Sequence, residues 1–526
     1  MSPENTNEEW KPTKNPWLVT LAVMIATFIF VLDSTIANVA LPHMAGSFSA
    51  SNEESMWILT SYLIASGIVL PSVAWFSSVF GRKEFFIAAV AVFTIASLLC
   101  GLSYSLDTMI LARILQGLGG GAIMPIAQAI IMESFPKEER GKAMAVFGLG
   151  IILAPVIGPV LGGWLTDTYS WHWIFYINIP FGIIAIIASK MFLENPPYAQ
   201  KQGLTKIDYV GFGLLIAWLV SLQIVLDKGQ NADWFQAKWI CWLSAISVIS
   251  MIGFIISQIK NKASIIDLSV FKDKNFASGT LVLVVVNGVM YASMAIMPLF
   301  LQNLLGYSAF LSGYALMPRG VGSLIGILLS GTLSNIIDER ILGTVGLLCL
   351  GVAGLMFGGL SLQISMMNII IPNLVFGVGI ALCFLPLSNL SLTTLSNEQM
   401  TNATGVQSLF KNIGGAIGTS IVVTLLTRFG QMHQFSMVGY LNDLNPVFHY
   451  KVTMAKMMLA NFMHISVAGI KANYLMYGEL LKQSNLWAFI DTFRVFGLIA
   501  LVIIPLVFLL DGHSKDSDTE GMTMMH

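Results

Sequence analysis

The sequence predicts an all-α membrane protein of fourteen transmembrane helices: two six-helix bundles with two inserted helices between them. Three observations carry this. The 526 residues are 56% hydrophobic and only 10% charged, with a mean hydropathy of +0.76, whereas a soluble domain is about 25% charged. The apolar residues gather into fourteen runs, each near the ~20 residues that cross a bilayer. Two polar segments, ENPPYAQKQGLTKID and KNKASIIDLSVFKDKN, set runs seven and eight apart, leaving six before and six after.

In order, the runs fall at about 17–41, 55–80, 84–104, 108–132, 142–165, 172–192, 208–226, 238–259, 275–301, 309–333, 341–360, 368–391, 405–427 and 487–510. The opening MSPENTNEEWKPTKNP is polar and acidic and lacks the charged-then-apolar pattern of a signal peptide. The first run is therefore expected to remain as an anchor. The expected division is a tail at 1–16, a bundle at 17–193, a linker with two helices at 194–270, a second bundle at 271–511 and a tail at 512–526. An even number of spans puts both termini on one side. Lys and Arg collect on that side, at Lys11 and Lys14, Arg82 and Lys83, Lys137, Arg140 and Lys142, Lys201 and Lys206, then Lys260 to Lys274 and Arg340. The positive-inside rule makes it the cytoplasmic side. The loop at 428–486 then lies outside, and its Tyr450, Met454, Met457, Met458 and Phe462 recur at helical spacing. A short amphipathic helix or a helical hairpin is expected there, as a cap, a lid or a docking surface. A faint echo links NVALPHMAGSFSAS after span one to AIMPLFLQNLLGYSA after span nine. Repeats of this kind suit a carrier whose halves rock about a midplane site.

Other classes find little support. The net charge of −1 offers no basic footprint for nucleic acid. The four cysteines, Cys100, Cys241, Cys349 and Cys383, lie in apolar runs without a CxxC spacing. There is no GxxxxGK[ST], HExxH or GxSxG. Neither an ATP-driven pump nor an enzyme is expected, and no metal or cofactor beyond a coupling proton.

The fifth run is unusual. Gly148 to Trp164 reads GLGIILAPVIGPVLGGW, with Gly150, Pro155, Gly158, Pro159, Gly162 and Gly163 inside one apolar span. Neighbouring helices rescue backbone groups freed by proline in lipid, and a GxxxG step such as Gly158/Gly162 admits another backbone closely. The reading is a bent helix packed hard against a partner, either for packing alone or at a place where the protein flexes.

Ionisable groups inside spans cost about 2.5–3.5 kcal/mol on insertion scales and need a partner or a job. Asp33 lies in span one, Arg113 in span four, Arg319 in span ten and Lys411 in span thirteen, while Asp491 and Arg494 open span fourteen. Asp33 is the candidate proton carrier and Arg113, at comparable depth, its cation. The alternative is a permanent ion pair pinning span one to span four. Thr35, Asn38, Gln116 and Gln128, with Arg319 and Lys411, are candidates for lining a cavity; helix glue is the other reading. Met and aromatic walls accept many ligand shapes.

Taken together, these residues resemble the major facilitator superfamily, in particular its fourteen-span drug:proton antiporter branch, and within it the inner-membrane pumps of tripartite efflux systems. LDSTIANVALP at Leu32–Pro42 is similar to the branch's first-span signature, and RILQG at Arg113–Gly117 to its span-four motif. Gly150 and Gly158-Pro159 followed by Gly162-Gly163 match the antiporter motif, and WHWIFYINIPFG at Trp171–Gly182 the span-six signature. LDKGQNADWF at Leu226–Phe235 and the long loop before span fourteen resemble those pumps. Two features depart. Gly81, Arg82 and Lys83 fit the inner-gate motif, but Ala74 and Ser78 replace its Gly and Asp, so another contact must hold that gate. Lys411 stands where the branch usually has Arg. The resemblance implies a bacterial inner-membrane protein that exports hydrophobic or amphipathic toxic compounds in exchange for protons. It further implies a periplasmic membrane-fusion adaptor and a TolC-type outer-membrane channel. The rival is a proton-coupled transporter of one metabolite or siderophore.

Overall fold

The computed structural model describes residues 14–136, 139–195, 208–230, 232–260, 268–334, 336–395, 397–442 and 444–511, and among these every regular element is helical. The expectations for the two tails, for most of the polar linkers and for Lys11, Lys137, Lys201, Lys206 and Lys262 fall outside the described residues. The spans are α1 Pro16–Ser47, α2 Trp57–Val69 continued as Val73–Phe80, α3 Arg82–Gly101, α4 Leu106–Ser134, α5 Arg140–Thr168 and α6 Asn178–Phe192. Then come α7 Tyr209–Gly229, α8 Lys238–Lys260, α9 Lys274–Leu299, α10 Ala309–Leu333, α11 Glu339–Phe357, α12 Met367–Leu392, α13 Asn397–Val438 and α14 Ile465–Val502. Thirteen of these segments are long and apolar enough to cross a membrane unaided. The fourteenth, α2, is interrupted by a 3-10 turn at Leu70–Ser72, where Pro71 brings no N–H to the helical ladder.

At 428–486 the expected short helix is present as Pro446–Ala460, but what flanks it is helical extension rather than loop. α13 has 42 residues and α14 has 38, roughly 60 Å each at 1.5 Å per residue, against ~30 Å of hydrocarbon. Both therefore continue past the membrane. A linking helix, Pro446–Ala460, is capped by Asn445 and lies against α14. Polar residues interspersed beyond 428 hide the continuation from a hydropathy window without breaking the helix.

Polar contacts cluster at two levels. On the face carrying the basic loops, here termed inner, those between described residues stay within a bundle. Arg82 pairs with Glu133, Lys83 Nζ donates to Lys190 O at 2.9 Å, Thr394 Oγ1 donates to Asp273 at 2.8 Å, and Asn389 donates to Glu339 at 3.1 Å. On the opposite, outer level they cross between bundles. Gln302 donates to Val39 O at 2.8 Å, Asn303 to Asn52 at 3.4 Å, and Thr427 to Glu53. Asp167, ending α5, accepts from the first amides of α10, Ala309 N at 3.1 Å and Phe310 N at 2.6 Å. A carboxylate at a helix N-terminus also meets the positive end of its dipole.

The largest apolar cluster lies at the same outer level. Ile36 to Leu59, with Leu165, Trp171 and Phe175 from the outer half of the first bundle, merge with the second bundle into one cluster. The inner half of the first bundle, including Val23, Phe86, Phe93, Ile126 and Phe147, forms a second, with Tyr291 of α9 packed against it, and Ile68 of α2 joins α7, α8 and Val406 and Leu409 of α13 in a smaller third. The protein is closed on its outer side.

α5 makes that closure possible. It is one unbroken helix through Pro155 and Pro159. One face meets α1: a Cβ on Gly150 would overlap Met24, one on Gly158 would overlap Thr35 Oγ1, and one on Gly162 would approach Ile36 O to 3.0 Å. The other face meets α10 across the bundle boundary. A Cβ on Gly163 would overlap the Ala309 carbonyl, and one on Gly313 the Pro159 carbonyl. Close backbone contacts recur in both bundles, at glycines outside the echoed stretches. Gly117 of α4 rests on Tyr62 O and Ser66 N of α2, and Gly377 of α12 rests in the same way on Arg319 O and Ser323 N of α10.

Gly313→Val should therefore weaken the outer-closed state by about 1–3 kcal/mol through overpacking. Faster maleimide labelling of a cysteine placed at Ala309 is the expected readout. Gly148→Val, where a Cβ meets nothing within 4 Å, should leave labelling unchanged.

Candidate functional site

Within the first bundle, Asp33 of α1 and Arg113 of α4 are 0% and 1% exposed. Arg113 Nη1 donates to Asp33 Oδ2 at 2.6 Å and to Gln116 Oε1 at 2.6 Å. Its Nε donates to Ile58 O of α2 at 3.0 Å, and its guanidinium lies 4.2 Å from the centre of the Tyr62 ring. Asp33 Oδ1 accepts from Gln116 Nε2 at 2.9 Å and from Asn178 Nδ2 of α6 at 2.7 Å. Ser97 of α3 accepts from Gln116 at 2.8 Å. Five of the six helices of the bundle thus contribute to one network. Every partner of Asp33 is a donor, a set that fits the ionised carboxylate. Buried charges persist only when paired and hydrogen-bonded in this way.

The remaining candidates are dispersed. Thr35 Oγ1 donates to Leu32 O at 2.9 Å and Asn38 Nδ2 to Ser34 O at 2.8 Å, both within α1. Gln116 belongs to the Asp33 network. Gln128 is half-buried on α4. Arg319 lies inside the second bundle: Nε donates to Asn373 at 3.1 Å, Nη2 to Ser293 at 2.9 Å, and the guanidinium is 4.4 Å from the centre of the Phe376 ring. Lys411 Nζ is 5.8 Å from the centre of the Phe384 ring. In the expected inner-gate motif, Gly81 takes φ +88°, a left-handed turn that favours glycine. Arg82 reaches Glu133 at the end of α4, and the Lys83 amide donates to Asn195 at 2.9 Å. The Ala74 and Ser78 side chains lie outside the described residues. At the outer end, Asp491 receives Arg494 at 3.3 Å and also bonds His433 of α13 at 2.7 Å.

Sequence reasoning did not single out Asn178, Ser97 or Asp227. Asn178 was visible as the amide in the apolar WHWIFYINIPFG, and Asp227 as an acid beside the edge of span seven. Nothing distinguishes Ser97 from other serines in spans.

Fold and site together define a polytopic membrane transporter of two packed bundles, one of which buries a charged network. The Major Facilitator Superfamily model matches residues 23–419, and the chain belongs to that family. It is 35% identical over 434 residues to the probable multidrug resistance protein EmrY of Escherichia coli (strain K12), covering 82% of this chain and 84% of that protein. It is 32% identical over 451 residues to the multidrug export protein EmrB of the same strain, covering 84% and 86%. With the fatty acid resistance protein FarB of Neisseria gonorrhoeae it shares 32% over 503 residues, covering 95% and 97%. Among solved structures, a bacterial homologue of the human lysosomal transporter Spinster superposes with a TM-score of 0.61 at 18% identity, covering 94% of this chain and 98% of that one.

Removing one partner of the buried pair should cost far more than removing both. Arg113→Leu is expected to destabilise the protein by about 3–5 kcal/mol. Adding Asp33→Asn should recover a large part of that, with a coupling of about 0.5–3 kcal/mol in a double-mutant cycle. Unfolding in mild detergent measures both.

Proposed function

We propose that the protein is a proton-driven multidrug exporter working by alternating access, with Asp33 as proton carrier and Arg113 as its counter-charge. The observation that carries this reading is the identity to a multidrug export protein and to a probable multidrug resistance protein over more than four-fifths of the chain. The buried pair supplies the chemistry. With the outer side open, Asp33 takes a proton and cargo leaves. The neutral acid no longer attracts Arg113 as strongly, the bundles rock, and the outer seam closes. On the inner side the proton leaves, cargo enters, and the ion pair forms again. A proton crossing 100 mV contributes ~2.3 kcal/mol, enough for a cargo gradient of roughly 50-fold at ~1.4 kcal/mol per tenfold.

The cargo is hydrophobic or amphipathic. Relatives named for multidrug export and for fatty acid resistance support that class over a single metabolite or siderophore. The excess of Lys and Arg in one set of loops supports cytoplasmic termini and the bacterial inner membrane as location. The projecting ends of α13 and α14 with their linking helix expose Phe435 (83%), Leu444 (93%), Met458 (68%) and Phe462 (86%). Apolar patches of this kind mark interaction sites. They are assigned to a periplasmic membrane-fusion adaptor that leads to a TolC-type outer-membrane channel.

Two measurements test these assignments. In everted vesicles, dye accumulation by the wild type should collapse on adding an uncoupler, and Asp33→Asn should show none although the protein is inserted. Uncoupler-insensitive transport, or proton-driven transport by Asp33→Asn, contradicts the reading. Met458→Asp with Phe462→Asp should keep dye transport in vesicles while losing co-purification with the adaptor.

A further inference from the structure

Asp227, near the outer end of α7, belongs to neither bundle and touches both. Its Oδ1 accepts from Gln223 Nε2 at 2.9 Å on the same helix and from the Ser420 hydroxyl of α13. Its Oδ2 accepts from the Thr60 hydroxyl of α2 at 3.3 Å. Gln223 Nε2 also donates to Ser420 Oγ at 2.7 Å. One side chain on an inserted helix therefore joins the first bundle to the second. Unlike Asp33, it forms no ion pair among the described residues.

The hydrogen bonds suit both protonation states. Thr60 has one hydroxyl hydrogen and two acceptors within reach, Asp227 Oδ2 and Met56 O at 3.2 Å. With Asp227 ionised, that hydrogen goes to the carboxylate. With Asp227 protonated on Oδ2, the acid donates to Thr60 Oγ1, and Thr60 turns its own hydrogen to Met56 O. The neutral acid keeps every contact and sheds only the unpaired charge, which is the component that burial disfavours.

Asp227 is half-buried near the outer end of α7, so the outer side is the shorter route for a proton. A cavity of about 190 Å³ lined by Met56, Glu53, Val423 and Thr427 opens on the outer level between the bundles. Met56 and Val423 lie about one helical turn from Thr60 and Ser420. Beneath, Gln223, Gly67 and Asn412 line a void of only about 20 Å³. Asp227 lines neither void; its partner Gln223 lines the lower one.

We infer that Asp227 is a proton-binding latch of the outer seam: it takes its proton from the outer side, the neutral acid holds α2, α7 and α13 together, and the carboxylate favours their separation. This rests on the alternating-access reading and assigns the inserted helices a role in it. The sign follows from linkage. Acid populates the neutral form and closes the seam, and rising pH opens it. For one proton, the open-to-closed ratio changes by at most about tenfold per pH unit.

Among the described residues, the other charged groups on or beside the elements packed against α7 are Lys228 on α7 itself, Lys238 and Lys260 on α8, Asp233 beside the following turn, Glu53 and Glu54 just before α2, and Lys411, Arg428 and His433 on α13. Trp57–Val69 of α2 carries no charged residue. All of these remain when Asp227 alone is changed.

The test uses the full chain in liposomes, with spin labels at Asn52→Cys and Asn303→Cys and the four native cysteines replaced. Distance distributions are recorded from pH 5.5 to 8.5, and proton-driven dye transport is measured in the same preparation. The open population should rise with pH for the native Asp227, stay at its low-pH level in Asp227→Asn, and regain its slope in Asp227→Glu. Ser420→Ala, which keeps the carboxylate but removes its tie to α13, should open more at every pH and keep a slope. An unchanged slope in Asp227→Asn, or a flat profile in the wild type, overturns the latch. If transport stays proton-driven in that case, only the latch falls. If the slope depends on Asp227 while transport ignores the proton gradient, the latch stands and the exporter reading fails.

Discussion

The buried pair between Asp33 and Arg113 is the constraint on which the first bundle depends. Both charges are buried in this structure, so each must be answered by protein. The answer draws on five helices: Gln116 from α4, Asn178 from α6, Ser97 from α3 and a backbone carbonyl from α2, around the carboxylate of α1. Leaving one charge unanswered would cost several kcal/mol, a large share of a typical protein's stability. The network thereby makes the first bundle a unit. Motion between halves is then confined to the boundary between bundles.

That boundary is built from a different material. Along α5 and α10 the contact is backbone on backbone, with Gly163 under Ala309 and Gly313 under Pro159. Such surfaces gain little from the hydrophobic effect in lipid and rely on close packing. Around them lie polar ties of modest strength: Gln302 to Val39, Asp167 to the start of α10, and the Asp227 cluster. A strongly held bundle interior and a lightly tied seam are what a two-state carrier needs.

Much of this architecture was legible in the sequence because a bilayer enforces it. Spans appear as apolar runs, their orientation as Lys and Arg, and the charge cluster as residues that should not be in hydrocarbon. Asp33, Arg113 and Gln116 were visible for that reason, and α5 through its glycines and prolines. What escaped has physical reasons too. The outer extensions of α13 and α14 are helical but polar enough to resemble a loop. Asn178 and Ser97 are ordinary residues whose partners are set by tertiary structure, at separations of 145 and 19 positions. Asp227 lay one residue beyond the expected end of span seven at 226, and element boundaries are where a hydropathy window is least sharp. Arg82 of the expected inner-gate motif pairs with Glu133, a residue just past the expected end of span four that sequence reasoning did not single out.

The central claim is that Asp33 exchanges its proton for cargo. Proton release on adding an amphipathic dye to the purified protein, in weakly buffered detergent solution, tests it most directly. The account predicts release from the wild type and none from Asp33→Asn, with dye binding retained in both. Equal release from the two proteins would place the exchanged proton on another group.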